Sequence, residues 1–116
     1  MTSRNRIATI PAFTADLKSL KKKHYDLTLL REPVQALIDG NQTLLRTKYD
    51  DHALTGNWAG FREFHIKGDW LVVYFRDDDT VTLVLTRTGG HDALFGSKSS
   101  RRVIKGYFSA PRSGEI

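Results

Sequence analysis

Residues 58–88 of the chain, WAGFREFHIKGDWLVVYFRDDDTVTLVLTRT, decide the fold class. This segment contains three runs rich in Val, Thr, Phe, Tyr and Trp, the side chains that favour β-strands. The runs are Trp58–His65, Asp69–Arg76 and Thr80–Thr88. Their separators, IKG at 66–68 and DDD at 77–79, have the length of hairpin loops. The segment therefore predicts an antiparallel meander of three strands.

The region before this meander shows helical periodicity. A short apolar run at Ile7–Ile10 predicts a strand, and apolar side chains then recur at helical spacing, at Phe13, Leu17 and Leu20. A second helix is predicted between Asp26, which is suited to an N-cap, and Gly40, which is suited to a helix stop. Two helices thus separate the first strand from the meander.

Pro33 lies inside the second predicted helix and predicts a bend in it. Proline has no backbone N–H, so the carbonyl of Leu29 would lose its helical partner. Taken together, the elements predict an α+β fold of order β-α-α-β-β-β. The two helices are expected to cover one face of a small antiparallel sheet.

The charge of the chain is concentrated at its C-terminal end. The 116 residues, 40% hydrophobic and 27% charged, suit one globular domain with a net charge of +5. Residues 1–96 carry 13 Lys and Arg against 12 Asp and Glu, whereas residues 97–116 carry 5 against 1. We expect a folded domain over 1–96 and a basic tail over 97–116. The tail is expected to be a flexible arm that touches ribosomal RNA, unless Val103-Ile104 and Tyr107-Phe108 pack locally.

Several classes of protein are disfavoured by composition. The chain has no cysteine, which excludes disulfides, thiolate nucleophiles and sulfur-rich zinc sites. No stretch approaches the roughly 18 apolar residues of a transmembrane helix, and Met1–Ile10 has no apolar core of a signal peptide. A cytoplasmic protein without a membrane partner is expected.

Loop lengths in the meander predict a row of titratable residues at one end of the sheet. A three-residue loop at 66–68 would set His65 opposite Asp69, and a three-residue loop at 77–79 would set Asp69 opposite Arg87. A slip of one residue would instead pair Trp70 with Arg87. Gly89-Gly90 would turn His91 back towards the same end. Such a row suits either a structural ion pair or proton chemistry, and the residues alone leave both open.

Three stretches resemble a known family in order and spacing. They are HALTGNWAGFREFH at 52–65, DWLVVY at 69–74 and RTGGHDALFG at 87–96. The chain resembles the YafQ branch of the RelE/ParE superfamily of bacterial toxins. By position, the active-site residues of that family fall on His52, His65, Asp69, Trp70, Arg87, His91 and Phe95.

The resemblance implies a type II toxin that a cognate antitoxin binds and silences. Such toxins enter the A site of the 70S ribosome and cleave the messenger RNA there, and DNA is approached only through the antitoxin. The expected reaction is attack by the ribose 2′-hydroxyl on the adjacent phosphate, which gives a 2′,3′-cyclic phosphate and a 5′-hydroxyl. RNA supplies the nucleophile, so the resemblance implies no metal and no other cofactor.

The expected roles follow from the chemistry of the side chains. His91 is the candidate general acid, and Arg87 is the candidate clamp on the pentavalent phosphate. The general base is open among His65 assisted by Asp69, Asp69 itself, and His52. Apart from the resemblance, His52 would be an exposed loop histidine.

Two aromatic residues of the set are expected to contact the nucleotide. Trp70 and Phe95 would stack on a base or position the splayed nucleotide, although both types of residue are more often part of a core. Trp58 and Phe61 are assigned to packing, and Lys48, Arg62 and Lys67 are left outside the site.

Two rival interpretations remain. One is a ParE-like toxin of the same fold that binds DNA gyrase and does not cut RNA, although that branch lacks this set of His, Asp and Arg. The other is a metal site, because three imidazoles and a carboxylate are a legitimate zinc or iron set. Its ligands would be His52, His65, His91 and Asp69.

Overall fold

The computed structural model describes residues 4–96 and 100–112. Its strands are β1 (Arg6–Thr9), β2 (His52–Ala53), β3 (Arg62–Lys67), β4 (Trp70–Asp77) and β5 (Thr82–Gly90). Its helices are α1 (Pro11–Lys22), α2 (Arg31–Asp39), α3 (Gln42–Tyr49), α4 (His91–Phe95) and α5 (Arg101–Ser109). Short 3₁₀ turns lie at Leu27–Leu30 and Gly56–Trp58. None of these helices is long and apolar enough to cross a membrane.

The five strands form one sheet in the order β1-β5-β4-β3-β2. Strands β3, β4 and β5 are antiparallel neighbours, as the meander predicts. The short strand β2 extends this sheet antiparallel to β3, and β1 joins its other edge parallel to β5. The predicted α+β fold is confirmed, with four additions: strand β2 and helix α3 between Gly40 and the meander, and helices α4 and α5 after it.

The register of the sheet differs from the one that loop lengths predict. His65 faces Leu71 and Arg87 faces Val73, so the predicted row through Asp69 is wrong. The turn before β4 holds two residues, 68–69, and the turn before β5 holds four, 78–81, where three were predicted in each. The pairing is also irregular between His65 and Lys67 and between Val73 and Tyr74. Together these differences move the partners of His65 and Arg87 along β4 by two and four residues, and because both displacements are even, His65 and Arg87 still share one face.

Two further predictions about the sheet register are also wrong. The alternative in which Trp70 faces Arg87 is also wrong, because Trp70 faces Gly90. Asp69 lies outside the strands, in the turn before β4. The third strand begins at Thr82, two residues later than predicted, because Val81 adopts a left-handed conformation with φ of 51°.

Each face of the sheet carries its own apolar core, because side chains alternate between faces along β4. On the first face, Val72 and Tyr74 pack with residues of α1, α2 and α3. On the second face, Leu71, Val73 and Phe75 pack with residues of α4 and α5. The prediction that helices cover one face therefore describes only half of the packing.

The second predicted helix is divided. Residues 27–30 form a 3₁₀ turn capped by the side chain of Asp26, and α2 begins at Arg31. Pro33 consequently lies in the first turn of α2, where a backbone N–H has no helical acceptor to lose. The disruption expected near Leu29 appears as this change of helix type, and Gly40 ends α2 with φ of 70°, as predicted.

The described part of the predicted tail is not a detached arm. Arg101–Ser109 form α5, whose Ile104 is 1% exposed in the second core. Phe108 contacts Phe61 and Phe75, with ring centroids 4.4 and 4.9 Å apart. From the sequence, local packing of Val103-Ile104 and Tyr107-Phe108 is the expected alternative to a flexible arm. This packing is observed, and it involves Ile104, Tyr107 and Phe108. Residues 97–99 and 113–116 of the tail lie outside the described residues.

Candidate active site

The second face of the sheet gathers the polar candidates at one end. Adjacent strands pair His52 with Glu63, Glu63 with Val73, and Val73 with Arg87. The neighbouring row joins His65 to Leu71 and Leu71 to Gly89. Since directly opposed residues share a face, both histidines and Arg87 project from the face that α4 and α5 partly cover. The sheet, rather than any one loop, sets their spacing.

Glu63 lies between the two histidines. Its Oε1 atom is 2.9 Å from Nε2 of His52 and 3.5 Å from Nε2 of His65. The two imidazole rings stack with their centroids 6.0 Å apart. The Glu63 side chain is only 8% exposed, and its Oε2 atom has no hydrogen-bond partner among the described residues. One buried carboxylate therefore orients both rings.

The surroundings of His52 favour its protonated form. Nδ1 of His52 lies 2.7 Å from the backbone carbonyl oxygen of Asp50. This hydrogen bond is the largest influence on the pKa of His52 and raises it above 6.5; partial burial opposes the rise, and the charges of Glu63 and Asp50 add to it. His52 is thus a base of increased proton affinity at a half-exposed position.

Asp50 brings a second carboxylate to this cluster. It ends α3 in a left-handed conformation with φ of 52°, which turns the chain into β2. Ligand atoms of Asp50, His52 and His65 all lie within 4.8 Å of one another, close enough to hold a metal ion. Asp69 and His91 do not belong to this group, so only His52 and His65 of the rival metal set considered from the sequence are part of it.

Arg87 is held by an ion pair and by a tyrosine. Its Nε and Nη2 atoms donate to the two carboxylate oxygens of Asp16 at 2.6 and 3.1 Å, and Nη1 donates to the hydroxyl of Tyr107 at 3.0 Å. Burial acts to lower the pKa of Arg87, but the hydrogen bonds and charge of Asp16, with Tyr107, raise it above its ordinary value. The guanidinium is thus permanently charged and fixed in orientation.

Asp16 reaches this position because β1 is shorter than β5. Pairing between β1 and β5 stops at Thr9 and Leu85, and α1 then follows. The carboxylate of Asp16 accepts a hydrogen bond from the backbone N–H of Thr88 at 3.0 Å, where a longer β1 would have paired. The same carboxylate therefore caps the strand and orients Arg87.

The remaining candidates lie where β5 runs into α4. A Cβ atom built on Gly90 would be 3.0 Å from Oδ2 of Asp69, so the exposed Asp69 carboxylate lies directly beside the residue that precedes His91. His91 begins α4 with a side chain 62% exposed, and its ring lies 5.0 Å from that of Phe95. Phe95 in turn contacts the indole of Trp58 at 5.1 Å.

Trp70 does not take the position expected of it. It is 3% exposed and alternates with Leu71, so it lies on the first face, away from the histidines. Its indole N–H donates to Thr88 at 2.9 Å, and its ring meets the edge of Tyr25 at 5.2 Å. A ring enclosed in this way has no free face for a nucleotide base, so the assignment of Trp70 to substrate stacking is corrected to packing beneath the site.

Four residues of this arrangement were missed in the sequence. Asp50 and Glu63 could have been noticed, because each precedes a candidate histidine by two positions, and Glu63 shares a strand face with His65. Asp16 and Tyr107 lie 71 and 20 residues from Arg87 along the chain, and no local pattern connects them to it. Only the folded chain brings them to the arginine.

Comparisons with known proteins agree with the resemblance. A family model described as "Bacterial toxin of type II toxin-antitoxin system, YafQ" matches residues 5–96. The mRNA interferase toxin YafQ of Escherichia coli K12 is 40% identical over 85 residues, which are 72% of this chain and 88% of that protein.

Solved structures extend the agreement to the fold. The crystal structure of the E. coli DinJ-YafQ toxin-antitoxin complex matches with a TM-score of 0.68 and 37% identity, over 80% of this chain and 99% of that chain. A metal-bound toxin from Helicobacter pylori matches with a TM-score of 0.68 and 42% identity, over 78% and 99% of the two chains. The chain therefore belongs to the YafQ family of toxins of type II toxin-antitoxin systems.

Proposed function

We propose that this chain is an endoribonuclease toxin that cleaves messenger RNA in the ribosomal A site. The proposal is carried by one observation: two histidines share a buried carboxylate on the face of the sheet that also bears Arg87. Bases, an orienting acid and a fixed cation are the groups that 2′-hydroxyl attack on a phosphate requires. The name of the E. coli relative, mRNA interferase toxin, supports the same reaction.

In the proposed reaction, an imidazole removes the proton from the ribose 2′-hydroxyl. The 2′-oxygen forms a bond to the adjacent phosphorus, and the bond from phosphorus to the 5′-oxygen breaks. The leaving 5′-oxygen takes a proton from His91, which is exposed at the start of α4. The guanidinium of Arg87 stabilises the additional negative charge on the phosphate oxygens.

The geometry favours an imidazole over Asp69 as the general base. His65 and His52 both contact Glu63, so Glu63 takes the orienting role that the sequence analysis gave to Asp69. The Asp69 carboxylate lies beside Gly90, the residue that precedes His91 in the chain, and this position is suited to influencing the general acid. Single-turnover pH profiles of His52→Ala, His65→Ala and Asp69→Asn distinguish these roles, because only loss of the base removes the low-pH limb.

Phe95 is proposed to contact the nucleotide. Its ring is partly exposed, and its centroid lies 5.0 Å from that of the His91 ring. The same ring packs edge-on against Trp58. An aromatic ring beside the general acid can position a splayed base and hence the scissile phosphate.

The partners follow from the same proposal. The chain acts in the bacterial cytoplasm on ribosome-bound messenger RNA, and a cognate antitoxin binds and silences it, as DinJ forms a complex with the E. coli toxin. DNA is reached only through that antitoxin. A gyrase-binding toxin would have no need of the His52–Glu63–His65 cluster, so this alternative is less favoured.

Metal binding is a second candidate function, and one observation favours it. Asp50, His52 and His65 converge within 4.8 Å. The Glu63 carboxylate contacts both histidines through Oε1, and its Oε2 atom has no hydrogen-bond partner in the part of the chain that the structure describes. Imidazole and carboxylate ligands suit zinc, copper or nickel. The metal-bound toxin from H. pylori is a relative for which such binding is stated.

Primer extension on a messenger held in stalled ribosomes, in a purified system with and without a transition-metal chelator, tests both candidates. The native protein is expected to give discrete A-site cuts that persist in the chelator, whereas His91→Ala binds the ribosome without cutting. His24→Asn is the matched control, because it removes an exposed histidine far from the cluster in sequence and keeps a residue that tolerates the positive φ. Cuts that vanish with the chelator would favour metal-dependent chemistry, and growth arrest without any cuts would favour the gyrase-binding alternative.

A further inference from the structure

Helix α5 lies beyond the segment that the YafQ family model matches, which ends at residue 96. The E. coli YafQ crystal structure likewise matches over its whole length while covering 80% of this chain. One side chain of α5 nevertheless contacts the central cation of the candidate active site: the hydroxyl of Tyr107 accepts a hydrogen bond from Nη1 of Arg87 at 3.0 Å.

We propose that Tyr107 is a positioning residue for Arg87, and that α5 thereby forms part of the active site of this chain. The proposal rests on the proposed cleavage reaction, in which Arg87 stabilises the phosphate. It adds a residue from outside the matched family segment to that reaction.

Two residues hold the guanidinium of Arg87 in place. Asp16 binds the Nε and Nη2 atoms and fixes one edge of the guanidinium. Tyr107 binds Nη1, the nitrogen that Asp16 does not contact. A guanidinium carries five N–H donors, so these three bonds leave two donors for a phosphate. With both partners in place, the guanidinium is held and the directions of those two donors, one on Nη1 and one on Nη2, are fixed.

Tyr107 is itself rigidly held, as a positioning residue must be. Its ring stacks on Trp58 with the centroids 6.0 Å apart and meets the edge of Phe61 at 6.5 Å. One turn away, Ile104 anchors α5 in the second core at 1% exposure. The position of the Tyr107 hydroxyl is thus set by packing contacts that do not involve Arg87.

The same ring links the cation to the general acid. Trp58, which stacks on Tyr107, also contacts Phe95, and Phe95 contacts His91. A continuous row of aromatic rings therefore joins the hydroxyl on Arg87 to the imidazole at the start of α4. Removing only the hydroxyl would leave this row intact.

Tyr107→Phe is the test, because it deletes the hydroxyl and keeps the ring. Single-turnover cleavage on stalled ribosomes is expected to slow by about 3- to 10-fold, the size of effect typical of one lost hydrogen bond. The toxin concentration at half-maximal rate should not change, because Arg87 would be misoriented and not removed. Tyr49→Phe is the matched control: its hydroxyl bonds Glu32 on the first face, and its loss should leave cleavage unchanged.

A second measurement separates this proposal from the cleavage reaction itself. Rotation of the Arg87 guanidinium, followed by NMR of its side-chain nitrogens, should become faster in Tyr107→Phe and stay slow in Tyr49→Phe. An unchanged cleavage rate in Tyr107→Phe, or an unchanged guanidinium rotation, would overturn the positioning role. If the native protein cut no messenger, the cleavage proposal would fall, and the guanidinium measurement would still decide whether Tyr107 holds Arg87.

Discussion

Glu63 carries a buried carboxylate between two histidines, and its charge should therefore be measurable on its neighbours. Replacing Glu63 by Gln removes a negative charge 2.9 Å from Nε2 of His52. The pKa of His52 is expected to fall towards 6.5 without reaching it, because the Asp50 carbonyl, the largest cause of the rise, remains. An NMR titration of the imidazole measures this shift.

Asp79→Asn serves as the control for that titration. It removes an exposed carboxylate from the hairpin between β4 and β5, so the pKa of His52 should not move. An equal pKa for His52 in the native protein and in Glu63→Gln would mean that Glu63 does not act on this ring.

The raised pKa of His52 also sets the direction of a pH effect on stability. A group whose pKa is raised by folding contributes stability that is fully present below its unfolded pKa and is lost as the pH rises through the folded pKa. Denaturant unfolding of the native protein and of His52→Gln should therefore differ more at about pH 5.5 than at about pH 8.5.

Asp16 has a structural role in addition to its contact with Arg87, because it also accepts a hydrogen bond from the backbone N–H of Thr88. The side chains of Arg87 and Asp16 are 21% and 18% exposed, so the pair is mostly shielded from water. Asp16→Asn leaves Arg87 without its counter-charge and weakens the cap on Thr88, and should lower the free energy of unfolding by about 1 to 3 kcal/mol. Urea denaturation measures the loss.

Asp39→Asn is the matched change in an exposed pair. Asp39 meets Arg4 at 3.9 Å with both side chains well exposed, so its loss should cost less than about 0.5 kcal/mol. Comparable losses of unfolding free energy in the two variants would show that burial does not make the Asp16–Arg87 pair more stabilising than an exposed pair.

At the scale of elements, α3 determines where Asp50 and His52 lie, because it ends at Tyr49 and only two residues separate it from β2. Its first turn is capped by Asn41, whose side chain accepts a hydrogen bond from the backbone N–H of Leu44 at 3.2 Å. Asn41→Ala should lower the free energy of unfolding by about 1 kcal/mol, because this N–H loses its acceptor. Thermal or urea unfolding measures it.

The contrasting variant is Asn41→Asp, which keeps an acceptor at the same position. It should retain the stability of the native protein. If it lost as much as Asn41→Ala, the capping bond would not be the source of the effect.

Some strands and helices were predicted correctly from the sequence, and others were missed. The strands β3, β4 and β5 and the helix α1 follow from alternation and helical spacing, which depend on burial of one face. Helix α3 was missed, since its eight residues carry only three large apolar side chains, Leu44, Leu45 and Tyr49. The register was missed because the two turns hold two and four residues where three were predicted, and because each irregular pairing inserts one residue at a place that the local sequence does not mark.

At the scale of the whole molecule, α5 completes the second core. Ile104 is 1% exposed there, whereas its neighbour Val103 is 50% exposed. Ile104→Ala should lower the free energy of unfolding by about 2 to 4 kcal/mol, since it leaves a cavity against the sheet. Denaturant unfolding of the full chain measures this loss.

Val103→Ala provides the control on the same helix. It removes methyl groups from a position largely open to solvent and should change stability by less than about 0.5 kcal/mol. Equal effects of the two substitutions would mean that α5 does not pack on the sheet in solution, and the role proposed for Tyr107 would lose its basis.

The sequence by itself determined the class of fold, the antiparallel meander, the first helix and the residues that identify the family. These depend on local periodicity or on residue identity at fixed spacing, both of which are present before folding. Only the tertiary structure decided the register of the sheet, the enclosure of Trp70, and the grouping of Glu63 with two histidines and of Asp16 and Tyr107 with Arg87. Those features depend on contacts between segments that are far apart in the sequence. Such contacts form only when the chain folds and its two cores are packed.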